Sequence, residues 1–217
     1  DNKMMLKPDD EKLDITIYLS KETTKNCVEG HKILAHLSKN LGHKNYLADC
    51  IKIIGHKDDA GIDILSIAYK YNIIDEFNEE VIKELDAIPD SVDPKELENR
   101  KDLTNEVIFT IDGSDTKDID DAISLTYKDG IYTLGVHIAD VSHYVKENTA
   151  LGDEAYNRGT SSYLADTVIP MIPHKLSNGI CSLNEGVIRL TMSCIMNINS
   201  RGDVESYDIF PSFIKSN

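Results

Sequence analysis

Two strand-like runs, Ala122–Tyr127 and Ile131–Ala139, flank Lys128-Asp129-Gly130, and that junction narrows the folds open to the chain more than any other feature. Asp-Gly supplies the positive-φ residues of a tight turn, so the two runs must pair as an antiparallel hairpin. On the second run Tyr132, Leu134, Val136 and Ile138 share one face, and Asp140 follows in that register. Thr133, Gly135 and His137 lie on the other face. A lone strand histidine is usually a satisfied structural group, so His137 is assigned to structure. An isolated hairpin is marginal in water, so further strands are expected. Arg189–Ile198 and Val204–Phe210 supply a second hairpin across Ser200-Arg201-Gly202-Asp203, where the Arg-Gly-Asp is read as turn chemistry. Another strand is expected at Val107–Ile111, just before a polar loop, Asp112–Asp121.

The N-terminal region reads differently. Leu13, Ile15, Ile17 and Leu19 alternate with polar residues, the period of a half-buried strand. Strand-like pieces follow at Lys32–Leu37 and Tyr46–Ile54, and polar turns close them. A small partial β-barrel over residues 1–64 is therefore expected. Asp63–Tyr71 and Glu79–Ala87 read as helices, the second capped by Asn78 and stopped by Pro89. Residues 65–99 form a helical connector, and residues 100–217 a second, mixed α/β domain. There, Asn148 or Thr149 can cap a helix running through Arg158.

Composition excludes several classes. No apolar run approaches the length of a membrane helix, and the first ten residues lack the apolar stretch of a signal peptide. The chain does not start with Met and is expected to be a processed chain or a fragment. Cys27, Cys50, Cys181 and Cys194 form no C-x-x-C pair and read as reduced, mostly buried thiols of a cytoplasmic protein. Acidic residues exceed basic ones by 38 to 23, net −15, spread along the whole chain. That argues against a nucleic-acid coat with a basic face, yet permits an enzyme whose bound cations invert the local sign. Ser161, Ser162 and His143 lack nucleophile-elbow spacing, which removes a serine hydrolase.

The chemistry is concentrated in Asp112-Gly113-Ser114-Asp115-Thr116-Lys117-Asp118-Ile119-Asp120-Asp121. Carboxylates packed this densely repel one another unless cations neutralise them, and hard oxygen ligands suit Mg²⁺, Mn²⁺ or Ca²⁺. A calcium loop of the EF-hand order fits poorly, because Gly113 directly follows the first Asp. A merely solvated acidic turn remains the alternative.

Asp112, Asp118, Asp120 and Asp121 set the pattern D-x-x-x-x-x-D-x-D-D. This resembles the catalytic signature of the ribonuclease II / ribonuclease R family, the RNB domain. Val136-His137-Ile138-Ala139-Asp140-Val141-Ser142, Asn157-Arg158-Gly159-Thr160-Ser161, Val168-Ile169-Pro170-Met171-Ile172-Pro173 and Leu176–Asn184 match it as well. Ile54-Gly55-His56-Lys57-Asp58 with Asp63–Ile67 resembles the end of a second cold-shock barrel of the ribonuclease R branch.

The resemblance implies a cold-shock (OB-like) barrel followed by the first part of an RNB catalytic domain. It implies 3′→5′ hydrolytic exoribonuclease chemistry on the 3′ end of single-stranded RNA, releasing nucleoside 5′-monophosphates. Mg²⁺ or Mn²⁺ would be held by Asp112, Asp118, Asp120 and Asp121, with no organic cofactor. Tyr163 falls where the family stacks a tyrosine on the terminal base. Arg158 is a candidate phosphate contact or a helix-end cap. Asp115 lies outside the pattern and reads as loop solvation. Ile188 stands where the family usually has Asp before the Arg. The fragment is expected to be inactive alone and monomeric. A silent RNA-binding or scaffolding protein that keeps the fold is the alternative.

Overall fold

The computed structural model describes residues 4–24, 26–165 and 167–217, which form two compact units. The first comprises residues up to Ile74 together with Tyr163–Ile169, and the second the remainder. The stretch expected as one connector is thus divided. Its first helix packs on the N-terminal sheet, and residues from Asp75 onward fold with the C-terminal unit.

The first unit is a four-stranded sheet. Strands β1 (Met5–Leu6), β2 (Thr16–Leu19), β3 (His31–Gly42) and β4 (Asn45–His56) lie in the order β1-β2-β4-β3. The strand expected from Leu13 begins only at Thr16, and Leu13 is 51% exposed. β3 and β4 run well beyond the expected pieces. Four register shifts along this ribbon add local twist and curl it, giving a partial barrel. Its tight turn carries His43 and Lys44 at positive φ, and Lys44 pairs with Asp14 at 2.6 Å. Helix α1 (Ile62–Lys70) lies against β3 and β4.

The second unit joins helices to a five-stranded sheet. Helix α2 (Glu79–Ala87) is capped as expected, the Val81 amide donating to Asn78 Oδ1 at 2.9 Å. Strands β5 (Lys101–Asp102), β6 (Asp121–Lys128) and β7 (Ile131–Ala139) follow. Helix α3 (Ala150–Arg158) starts at Thr149, whose hydroxyl accepts from the Gly152 amide, and ends at Gly159 in the left-handed region. β8 (Ser162–Tyr163) and β9 (Val168–Ile169) make a short hairpin that, from Tyr163 on, groups with the first unit. β10 (Ile188–Ile198) and β11 (Val204–Lys215) complete the sheet, in the order β5-β11-β10-β7-β6. The Asp129-Gly130 hairpin forms with both residues at positive φ. The expected strand at Val107–Ile111 does not form. Only Phe109 bridges to Ile123, and Val107 and Ile111 are 72% and 80% exposed. Between them Ile108 is fully buried, and its carbonyl accepts from the Asn217 amide at 2.8 Å instead of from a paired strand.

α2 and α3 pack through Val81, Leu85, Leu151 and Ala155, with Leu176 and Ile180 beneath them. Their ends are tied by charge. Glu84 accepts from the amides of Ala150 and Leu151, both at 2.9 Å, and so caps the start of α3. Lys175 Nζ donates to the Leu85 and Ile88 carbonyls at the end of α2. A second core, of Leu103, Ile108, Ala122, Ala139, Leu183 and Ile214, lies under the sheet.

The sheet buries an unexpected face. Tyr132 and Ile138 are 41% and 44% exposed, while Gly135, His137 and Ala139 are buried. His137 Nδ1 meets Ser193 Oγ at 2.7 Å and its Nε2 meets Ser124 Oγ at 3.1 Å, so it is the satisfied structural group expected. Hydrogen bonds continue through Ser212 to Thr191. Asp140 is buried and pairs with Arg100, which also donates to the carbonyls of Thr191 and Ser212. Among the described residues no helix is long and apolar enough to cross a membrane. All four cysteines are free thiols.

Candidate active site

The acidic loop leaves the Phe109–Ile123 bridge and returns at the first residue of β6. Its outer part, Asp112–Thr116, closes by one turn bond, the Thr116 amide donating to the Gly113 carbonyl at 3.0 Å. Its inner part is held much more firmly. Ser182 Oγ donates to the Lys117 carbonyl at 2.8 Å and accepts the Ile119 amide at 3.1 Å. The Leu183 amide donates to the Ile119 carbonyl at 2.9 Å, and the Ala139 amide to the Asp120 carbonyl at 2.8 Å. Ile119 packs against the core under the sheet.

Asp120 feels the other three aspartates of the pattern. Solvent still reaches Asp120, yet its carboxyl is held above the usual range. Partial removal from water contributes most, followed by the negative charges of Asp118, Asp121 and Asp112. Asp115 is exposed and takes no part in that effect. By chemistry this all-oxygen, mutually repelling donor set fits a hard divalent cation. Among the described residues, no three His, Cys, Asp or Glu side chains are grouped as the ligands of one ion.

The other candidates stand on other elements. Tyr163 sits on β8 with its side chain 68% exposed and groups with the first unit, whereas the aspartates and Arg158 belong to the second. Arg158 is engaged by protein at every nitrogen: Nε by Glu154 at 2.8 Å, and the terminal nitrogens by the Pro170 and Glu76 carbonyls at 3.1 and 2.7 Å. Its guanidinium also stacks on Phe77, 4.0 Å from the ring centroid. The side chain therefore ties α3 to two neighbouring segments, and neither carbonyl belongs to the end of α3.

Sequence reasoning did not single out Ser182 or Arg100, and met Arg189 only as the Arg that follows Ile188. Arg189 Nε donates to the Ser182 carbonyl at 2.8 Å from a largely buried position. The only signal in the sequence was the word Leu176–Asn184, which matched the family without suggesting what its serine does.

Comparison with known proteins accounts for both units. Residues 100–217 match the RNB domain and residues 6–78 the cold shock domain. Ribonuclease R of Thermotoga maritima is 52% identical over 213 residues, covering 96% of this chain and 30% of that protein. The structure of Mycoplasma genitalium RNase R in complex with double-stranded RNA superposes with a TM-score of 0.84 at 29% identity, over 94% of this chain and 37% of that one. Yeast Ssd1, a pseudonuclease, shares the fold with a TM-score of 0.67 at 19% identity, over 98% of this chain and 28% of its own. The chain thus spans less than two fifths of the length of each of these relatives. With more than half of its residues in a matching RNB domain, and nearly all of them aligned to ribonuclease R, the chain belongs to the RNB family.

Proposed function

We propose that the chain supplies the metal-binding part of a 3′→5′ hydrolytic exoribonuclease acting on the 3′ end of single-stranded RNA. The observation that carries this reading is the loop itself. Four carboxylates stand on one short segment, partial removal from water and then the charges of the other three hold Asp120 above its usual range, and the backbone beneath is fixed by Ser182, Leu183 and Ala139. Such crowding costs stability unless cations relieve it. Mg²⁺ or Mn²⁺ bound there would supply an activated water and neutralise the scissile phosphate. Asp112, Asp118, Asp120 and Asp121 are the residues that would hold the ions. Water adds to the terminal phosphorus, the 3′ oxygen of the shortened RNA leaves with a proton, and a nucleoside 5′-monophosphate is released.

Tyr163 presents an exposed ring on which the terminal base can stack. Stacking gives roughly 1–3 kcal/mol per base and tolerates any sequence, as a general RNA degrader requires. Arg158 is better placed to hold α3 and its neighbours together than to meet phosphate. The chain alone is expected to be inactive and monomeric.

The test has two arms. Mn²⁺ titrated into the chain should broaden NMR signals of residues 110–123 first, whereas even broadening over the acidic surface counts against the site. In a chimera, this chain replaces its counterpart in Thermotoga maritima ribonuclease R, and single-turnover decay of a 3′-tailed RNA is followed. Asp120→Asn should slow decay by a factor on the order of 10² or more, the scale lost with a transition-state stabiliser. RNA binding in EDTA should persist. Wild-type-like decay by the variant would remove Asp120 from catalysis. A chimera that binds RNA but never degrades it would favour a silent module.

A further inference from the structure

We infer that Ser182 is a positioning residue, whose buried hydroxyl brackets Asp118 and sets the inner half of the acidic loop for cation binding. This deepens the metal-binding proposal and rests on it. The geometry is specific. One hydroxyl donates to the carbonyl on one side of Asp118 and accepts the amide on the other, at 2.8 and 3.1 Å. It thereby does what a neighbouring strand does with two backbone groups. The Leu183 amide extends the same contact to the Ile119 carbonyl. Two bonds from Ser182 thus fix the peptide planes on both sides of Asp118, and the bond from Leu183 fixes the next one.

The anchor is itself immobilised. Ser182 has no solvent exposure and Leu183 only 1%. The Ser182 carbonyl accepts from Arg189 Nε and from the Asn184 amide, both at 2.8 Å. On the far side, the Ala139 amide of β7 holds the Asp120 carbonyl. Residues 117–120 therefore run between two rigid supports, and both supports bind backbone. No comparable set holds Asp112–Thr116, where a single turn bond closes the segment among the described contacts. The loop has a fixed half and a freer half, and Ser182 defines where the fixed half begins.

The bland alternative is that Ser182 merely satisfies buried polar groups, as most buried hydroxyls do. Deleting the hydroxyl separates the two roles. Groups that orient metal ligands from behind commonly cost 10- to 100-fold in metal affinity when removed. A simple buried hydroxyl lowers stability and leaves affinity alone.

The test uses the 217-residue chain with Mn²⁺ as probe. Free Mn²⁺ is measured by electron paramagnetic resonance, and amide exchange of Ile119 by NMR. Ser182→Ala is compared with Thr191→Val, which also deletes a fully buried hydroxyl, one bonded to Ser212 within the sheet. Ser182→Ala should weaken Mn²⁺ binding about tenfold or more and speed Ile119 exchange by a similar factor. Thr191→Val should leave both within about twofold, at a temperature where melting curves show both variants folded. Wild-type affinity or wild-type Ile119 exchange in Ser182→Ala overturns the proposal, as does an equal loss in Thr191→Val. If the wild-type chain itself leaves Mn²⁺ unbound, the metal reading fails. Ile119 exchange then decides the clamp alone, with faster exchange confined to 117–120 sustaining it and unchanged exchange overturning it.

Discussion

His137 should make the second unit acid-labile well above the range where carboxylates titrate. The ring is fully buried between Ser124 and Ser193, and burial alone lowers its pKa from 6.5 to about 4. The neutral ring fits this site. If Nδ1 donates to Ser193, that hydroxyl can donate to Ser212, which in turn donates to the Thr191 carbonyl. A protonated ring would meet only hydroxyls there and no carboxylate. The unfolded chain takes up the proton more readily than the folded one, so the stabilisation is complete above pH 6.5. It drains away as pH falls towards 4, where the folded ring also titrates. At about 1.4 kcal/mol per tenfold, the full loss is roughly 3 kcal/mol. Urea unfolding of the second unit between pH 8 and 4.5 should show this slope, and His137→Gln should flatten it. Imidazole ¹⁵N signals give the direct readout. A His137 ring that titrates near 6.5 while the protein remains folded would refute the reasoning.

Three other side chains give outcomes of their own. Asp140→Asn strands the buried Arg100 guanidinium and should cost about 3–5 kcal/mol in denaturant unfolding; a loss below about 1 kcal/mol would show that water already reaches the pair. Arg158→Lys cannot reproduce the three-way contact or the stack on Phe77, so the thermal midpoint should drop while the salt dependence of RNA binding stays put. The reverse pattern would restore Arg158 as a phosphate contact. In the chimera, Tyr163→Ala should change the length of the final oligonucleotide and leave Mn²⁺ binding intact; an unaltered end product would take Tyr163 out of the site.

What the sequence disclosed was local. Asp129-Gly130, Asn78 and Thr149 each act on neighbours within a few residues, and each does in the structure what its chemistry implies. Alternation on β7 separated two faces but could not tell which faces inward. Tyr132 and Ile138 look like core, yet the buried side is polar, because His137, Ser193 and Ser212 satisfy one another across strands distant in sequence. Val107–Ile111 has strand composition, but only Phe109 bridges to a strand, while the Ile108 carbonyl goes to the Asn217 amide. The acidic loop was legible because five carboxylates in ten residues demand an explanation. Its support was not, since Ser182 lies some sixty residues away and a single serine carries no pattern.

The long-range caps on α2 and α3 have a consequence for synthesis. Each helix has nine residues, too short to persist alone in water. The end of α2 is closed by Lys175, which lies 90 residues after Leu85 in the chain. At 5–20 residues per second, a ribosome delivers that lysine roughly 5–20 s after Leu85. For most of this interval Val81 and Leu85 have no partner helix to cover them, since α3 ends only at Arg158 and Leu176 and Ile180 follow Lys175. Nascent chains stalled between residues 90 and 150 should therefore recruit chaperone holdases through this stripe, and release them once the chain through Ile180 has emerged.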